Sequence, residues 1–310
     1  VIKLLVLAAL AMASASFAAP TPCDPGPQAI QEWKGYDVRH PQFRRVSSIA
    51  VAPSGSVFLL DHELYLIREF SPDGTFLKTW DLPEYEGEAM VAMAASDSFL
   101  YVSDGHCTFQ IFKDGSIARW LRGAVDNGLA TDQSGNLYVS TSLSRLKYLE
   151  VMRNHVKPDY YKTMHDSLTS ELGIWKLNSD GRVVDHWAAP AWPITVHKNG
   201  ALYGVEPDSG GAIFTMVNGK TGVLPCHLGL KGTAMSRSLA VSPIGHFFVN
   251  DYQKVVEIDE QGNVLRRWCD PGPHYDPLDV PGSLSVDTTG HLYVADYYKS
   301  RVLKFDLGNP

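Results

Sequence analysis

The chain has no surplus of positive charge to offer a nucleic acid. Its 27 lysines and arginines are outnumbered by 34 aspartates and glutamates, for a formal net charge of −7. Phosphate binding depends on basic surface, so no nucleic acid is expected as a partner. Cysteine is scarce, four in 310 residues, and none stands at the close Cys/His spacing of a structural zinc site. A nucleophile elbow, a phosphate-cradling glycine loop and a metalloprotease helix signature are all absent, which removes the chemistries most readily legible in a sequence. There is no Asn-X-Ser/Thr sequon, so nothing in the sequence covers the surface against protein contact. Beyond the first 19 residues no apolar run is long enough to span a membrane.

Those first residues have their own logic. Lys3 precedes an apolar stretch from Leu4 to Met12, followed by the small residues Ser14, Ala15, Ser16, Ala18 and Ala19 and then Pro20. A basic start, a short apolar stretch and small residues before a proline read as a secretory signal peptide over residues 1–19, cleaved near Ala18 or Ala19. The expected location is secreted or periplasmic. Export permits disulfides among Cys23, Cys107, Cys226 and Cys269. Cys226 and Cys269 both follow the outer strand of neighbouring repeat units and form the preferred pair, with buried thiols as the alternative. The segments Cys23-Asp24-Pro25-Gly26-Pro27 and Cys269-Asp270-Pro271-Gly272-Pro273 are identical, yet stand in different registers to the nearest tryptophan.

What the chain does contain is a repeat. A turn glycine, a short β-forming run and an acid recur, as in Gly55 to Asp61 and Gly290 to Asp296. Further copies are Phe99 to Asp104, Gly135 to Thr141, Gly200 to Glu206 and Gly245 to Asp251, six in all, separated by 43, 37, 65, 45 and 45 residues. A unit of about 40 to 45 residues has the size of a four-stranded propeller blade. The long interval places an insertion at about residues 142–171. In the fifth unit the four strands are expected at Ser238–Val241, Phe247–Asn250, Val255–Ile258 and Val264–Trp268, separated by turns that carry glycine.

A second mark ends the outer strand of most units: Trp80, Trp120, Trp187 and Trp268, while the fourth unit ends Val223-Leu224-Pro225 instead. The sixth unit runs out after Val302–Phe305, one strand short. Near the start lies Ala29-Ile30-Gln31-Glu32-Trp33, which has the same ending and precedes the first unit. The reading is an all-β, six-bladed β-propeller spanning residues 20–310, closed by an N-terminal strand that joins the C-terminal blade.

Residues Gln42 to Val51, Gly282 to Asp287 and Arg301 to Asp306 resemble NHL repeats, strongly in units one, five and six and weakly in unit four. The resemblance implies a six-bladed propeller. It implies no single function, because related rings serve as enzymes, binding platforms and scaffolds. In such a ring the residues just before each inner strand, together with the loops between second and third strands, converge on one end of the channel. Counting back from each repeat-ending residue puts Ser47, Met90, Asn127, Trp192, Arg237 and Gly282 there. No histidine set for zinc stands at these positions, and of a calcium-type oxygen set only Asn127 is present. Asn127 is equally an ordinary turn residue, Arg237 a fork for a carboxylate or phosphate or one half of a structural ion pair, and Trp192 a stacking or packing side chain.

The insertion has Leu143, Leu146, Leu149 and Met152 near helical spacing, with Pro158 after them, which predicts a short amphipathic helix. Tyr160, Tyr161 and His165 follow and are candidates for a pocket beneath the insertion acting as a lid, a surface excursion or a subunit contact being the alternative. The expected function is a monomeric binding or scaffold module for a protein, peptide or small polar ligand at the channel mouth. No cofactor is predicted and calcium has weak support. The alternative is a lyase or hydrolase acting on a lactone, sugar or peptide derivative at the same face. Closure makes a prediction of its own: a chain lacking residues 20–35 is expected to lose stability and self-associate through the exposed edge. A cleanly folded monomer of undiminished stability contradicts closure by this segment.

Overall fold

The computed structural model describes residues 24–25, 27–35, 43–82, 92–103, 107–122, 128–141, 173–189, 191, 193–205, 212–217, 219–224, 226, 238–251, 254–269 and 281–308. Among them the regular structure is strand throughout, arranged as six sheets that succeed one another along the chain. Each is an antiparallel blade running from the channel outward. Blade 1 is Val46–Val51, Val57–Asp61, Leu66–Phe70 and Phe76–Asp81, and blades 2 to 5 repeat the order. In blade 5 the strands are Leu239–Val241, Phe247–Asp251, Lys254–Ile258 and Val264–Cys269, within one residue of expectation at each end.

These segments are strands because both of their faces meet apolar neighbours. In Val57–Asp61 every residue is buried. Successive side chains point to opposite faces, so Phe58 and Leu60 pack against blade 2 while Val57 and Leu59 pack against blade 6. The core is therefore divided into six wedges, one between each pair of neighbouring blades. Hydroxyl groups of inner strands tie the wedges together. Thr131 donates to the Ala95 carbonyl at 2.7 Å, Ser283 accepts from the Ile49 amide at 3.1 Å, and Ser238 both accepts from the Leu284 amide at 2.8 Å and donates to its carbonyl at 3.2 Å.

The ring closes as the missing strand predicts. Ala29–Lys34 is the outer strand of the last blade and pairs antiparallel with Arg301–Asp306. Trp33 is buried in the wedge between blades 6 and 1, stacked on Phe70 at 5.6 Å and tilted against Tyr293 at 5.7 Å. Gly74 makes room for it. A Cβ there would lie 2.5 Å from Trp33 Nε1, and the φ of 84° favours glycine in any case. Gln31 and Lys304 on the last blade donate to the carbonyls of Asp73 and Pro72 on the first, at 2.5 and 2.8 Å.

One strand was not anticipated. Asp24–Pro25 lies parallel to the outer strand of blade 5, with Asp24 opposite Trp268 and Pro25 opposite Cys269. Pro25 of the first Cys-Asp-Pro-Gly-Pro segment thus lies opposite Cys269, which opens the second, and the residues ahead of the closing strand cover one blade before that strand completes the next. Residues 1–19 and the insertion at 142–171, with its expected helix, lie outside the described residues; the strands flanking the insertion, Leu137–Thr141 and Gly173–Leu177, pair directly. Replacing Ser238 with Ala strands a buried amide and is expected to cost about 1–3 kcal/mol in urea denaturation. Ser98→Ala at an exposed turn should cost under about 0.5 kcal/mol, and equal effects would contradict the bridging role of Ser238.

Candidate functional site

The inner strands enclose a central channel with a cavity of about 170 Å³. Ser48, Ala50, Ala94, Thr131, Ser238 and Ser283 are among its walls, and among the described residues none that lines it is ionisable. The ionisable groups that the described residues bring near the channel stand at its mouths.

At the upper mouth, where the inner strands begin, the seam between blades 6 and 1 gathers a cluster of rings and charges. The repeat acids Asp61 and Asp296 are fully buried here and build the turns. Asp61 accepts from the amides of Arg44, Glu63 and Leu64 at 2.7 to 3.0 Å. Asp296 accepts from Arg301 at 3.0 Å, and Arg301 also reaches Glu32 on the closing strand at 3.6 Å. Burial pushes the Asp296 carboxyl above its ordinary value, against the opposing pull of Arg301 and Lys299.

These turns aim the residues that follow. His62 lies 6.1 Å from Tyr65 and 6.3 Å from Tyr297, ring to ring, and Tyr297 meets Tyr298 edge-on at 5.0 Å. The Arg45 guanidinium stands 5.8 Å from the Tyr297 ring and 3.6 Å from Glu63, which also takes Arg44 at 2.6 Å. Tyr297 borders the start of the last inner strand, since a Cβ on Gly282 would come within 3.4 Å of its Cβ. Tyr65 and Tyr298 remain 46% and 57% exposed. Tyr65 also holds a left-handed backbone at φ 54°, a conformation a bulky side chain adopts only under constraint. The arrangement offers aromatic faces, a hydroxyl-rich edge and the Arg45 guanidinium, which suits a ring or a planar polar group.

The lower mouth has a different character. A cavity of about 110 Å³ is rimmed by Asp132, His197, Lys198 and Asp287. Both aspartates are committed to the fold: Asp132 holds Asn136, Tyr138 and Lys176, while Asp287 holds Thr289, His291 and Tyr293. Burial is the largest influence on each and acts to raise its pKa. For Asp132 the bonds from Asn136 and Lys176 together outweigh it, and for Asp287 those from His291 and Thr289, so both carboxyls sit below the usual aspartate value.

The candidates Asn127, Trp192, Arg237, Tyr160, Tyr161 and His165 lie outside the described residues. The positions after the first three, Gly128, Pro193 and Ser238, each have a carbonyl accepting an amide from the second strand of the blade at 2.9 to 3.4 Å. Of the preferred cysteine pair, Cys226 is buried between blades 4 and 5, where burial raises its thiol pKa, and the side chain of Cys269 lies outside the described residues. Among the described residues no group of three or more His, Cys, Asp or Glu is placed to hold a metal ion. The residues that counting missed, His62, Tyr65, Tyr297 and Tyr298, follow a repeat acid by one to four residues, and their signal was that they lie in loops between second and third strands.

Residues 278–305 match the NHL repeat. The match covers the last blade, where the sequence resemblance was strong. No curated protein matches the chain. Solved structures similar to it are propellers of several kinds. The virginiamycin B lyase of Staphylococcus aureus is 14% identical, with 90% of this chain and 89% of that one covered at a TM-score of 0.55. A gluconolactonase of Xanthomonas campestris is 14% identical over 91% and 95% of the chains at 0.61, and the calcium-binding protein regucalcin of Agrobacterium tumefaciens 15% over 90% and 93% at 0.55. At such identities the likeness is one of fold.

The depressed aspartates set a pH dependence. Asp132 and Asp287 bind protons less tightly folded than unfolded, so they contribute stability above the ordinary aspartate pKa of about 3.9, and it is lost as pH falls through their lower folded values. Unfolding free energy should fall between about pH 5 and pH 2, and Asp287→Asn should flatten that slope. An unchanged slope would contradict the assignment.

Proposed function

We propose that the chain is an exported, monomeric binding propeller whose ligand, a peptide, a protein segment or a small polar molecule, docks at the upper mouth of the channel. The observation that carries this reading is the cluster of Arg45, His62, Tyr65, Tyr297 and Tyr298 at the seam of blades 6 and 1, with two tyrosines open to solvent. Open aromatic faces beside a guanidinium suit planar and ring-bearing groups. The insertion at 142–171 interrupts blade 3 between its second and third strands, and its Tyr160, Tyr161 and His165 belong to the same proposal as a lid over the mouth. Among the described residues no helix is long and apolar enough to cross a membrane.

The second reading is a lyase or hydrolase working at the same mouth. It draws on fold neighbours whose names include lyases and gluconolactonases. Both readings are tested by screening the purified chain against peptides, oligosaccharides and lactones by thermal shift, with and without calcium. A compound that raises the melting temperature of the wild type but not of Tyr297→Ala, and is recovered unchanged, supports the binding module. Equal shifts in both proteins place the site elsewhere, and turnover of the compound establishes the enzyme. Tyr65→Gly separates recognition from folding: relief of the left-handed backbone should leave stability undiminished or raised by about 1 kcal/mol, while binding falls.

A further inference from the structure

Each blade carries a polar side chain on its third strand opposite an aromatic ring on its second. The pairs are Phe58 with Glu69, Tyr101 with Gln110, Tyr138 with Lys176, Tyr203 with Thr215, Phe248 with Glu257 and Tyr293 with Lys304. Opposite each tyrosine stands a residue able to donate a hydrogen bond; opposite each phenylalanine stands a glutamate. Two of the donors reach the next blade. Lys304 donates to the Pro72 carbonyl at 2.8 Å and Gln110 to the Ser179 carbonyl at 3.5 Å, both in the turn between the third and fourth strands of the neighbour.

An ionised glutamate only accepts, so Glu69 and Glu257 cannot make this bond. Glu257 is held inside its own blade by His246 at 3.0 Å and Arg266 at 2.8 Å, and blades 5 and 6 remain tied through Ser238 and Leu284. Blade 1 has less. Glu69 accepts from the Trp80 indole at 3.1 Å, and the equivalent carbonyl of blade 2, that of Lys113, is reached instead by Lys78 from the outer strand, at 3.5 Å. Among the described residues no hydrogen bond joins the inner strands of blades 1 and 2; the Ser54 amide donates to Asp97 at 2.8 Å between their turns.

Packing at the two flanks of blade 1 differs in the same sense. Toward blade 6, a Cβ on Gly74 would come within 2.5 Å of Trp33. Trp80 and Gly115 hold the equivalent positions toward blade 2, since Trp33 stands opposite Val302 and Trp80 opposite Ile67, two residues before Lys304 and Glu69. A Cβ on Gly115 would meet nothing within 4 Å. The Lys78 ammonium lies 3.8 Å from the centre of the Trp80 ring, and beside it the two blades enclose a cavity of about 320 Å³, larger than that of the channel.

We infer that the ring yields first between blades 1 and 2, and that Glu69 is the residue that keeps this junction loose. Parting there breaks no strand pairing, because each blade keeps its own sheet, and it widens the channel that the inner strands enclose. Blade 1 is fixed to blade 6 on one flank and free to move from blade 2 on the other.

The test places one cysteine in each wedge of the full chain, Val102→Cys between blades 1 and 2 and Val57→Cys between blades 6 and 1, both fully buried positions. Labelling by a thiol reagent under native conditions is read by mass spectrometry, which counts the chain's own cysteines separately. The expected result is labelling at least about tenfold faster at position 102 than at position 57. Adding Glu69→Gln keeps an acceptor for Trp80 and supplies a donor for the Lys113 carbonyl; it should slow labelling at 102 about fivefold and leave 57 unchanged. Without added cysteines, Glu69→Gln should raise the melting temperature by about 2 °C, a reading that does not depend on how the cysteine variants fold. Equal labelling of the two wedges, or a labelling rate and melting temperature unmoved by Glu69→Gln, would overturn the proposal.

Discussion

Everything in this molecule rests on the pairing of a strand near the start of the chain with one near its end. Ala29–Lys34 lies against Arg301–Asp306, and without it the last blade would have three strands and the wedge between blades 6 and 1 would lose Trp33. That wedge differs in kind from the other five. They are filled by residues of consecutive repeats, whereas this one is filled by Trp33, Phe43, Phe70 and Tyr293, which only closure brings together. Backbone pairing, ring stacking and the hydrogen bonds from Gln31 and Lys304 all cross the same seam.

The upper site follows from the same constraint. His62 and Tyr65 belong to the first blade, Tyr297 and Tyr298 to the last, and Arg45 enters the first blade from the closing segment. They meet because the ring shuts there. The repeat acids Asp61 and Asp296, buried at equivalent turns, set the direction of the residues after them. Structure and site thus share one set of turns, and the described residues lining the channel between the mouths are neutral.

Legibility in the sequence was uneven for physical reasons. The blades were readable because a short β-forming run recurs six times, five of them after a turn glycine, and the closing strand because Trp33 repeats an ending while the last unit lacks one. Asp24–Pro25 was not readable: two residues carry no periodicity, and parallel pairing with a distant strand leaves no local trace. The duplicated Cys-Asp-Pro-Gly-Pro segment marked the place without disclosing the reason. The upper cluster escaped because counting back from repeat acids finds residues before inner strands, such as Asn127 and Arg237, whereas the described rings follow second strands. Tyr65 next to His62 looks like an ordinary turn until Tyr297 arrives from the opposite end of the chain.

Native-state amide exchange of Arg301–Asp306 tests closure most directly. This strand is paired on both sides, like Lys254–Ile258 in blade 5. If the seam is as strong as the other junctions, the hydrogen-bonded amides of both strands exchange together, through global unfolding alone. Faster exchange of Arg301–Asp306 through a separate opening of the last blade would contradict the claim that the ring is sealed there.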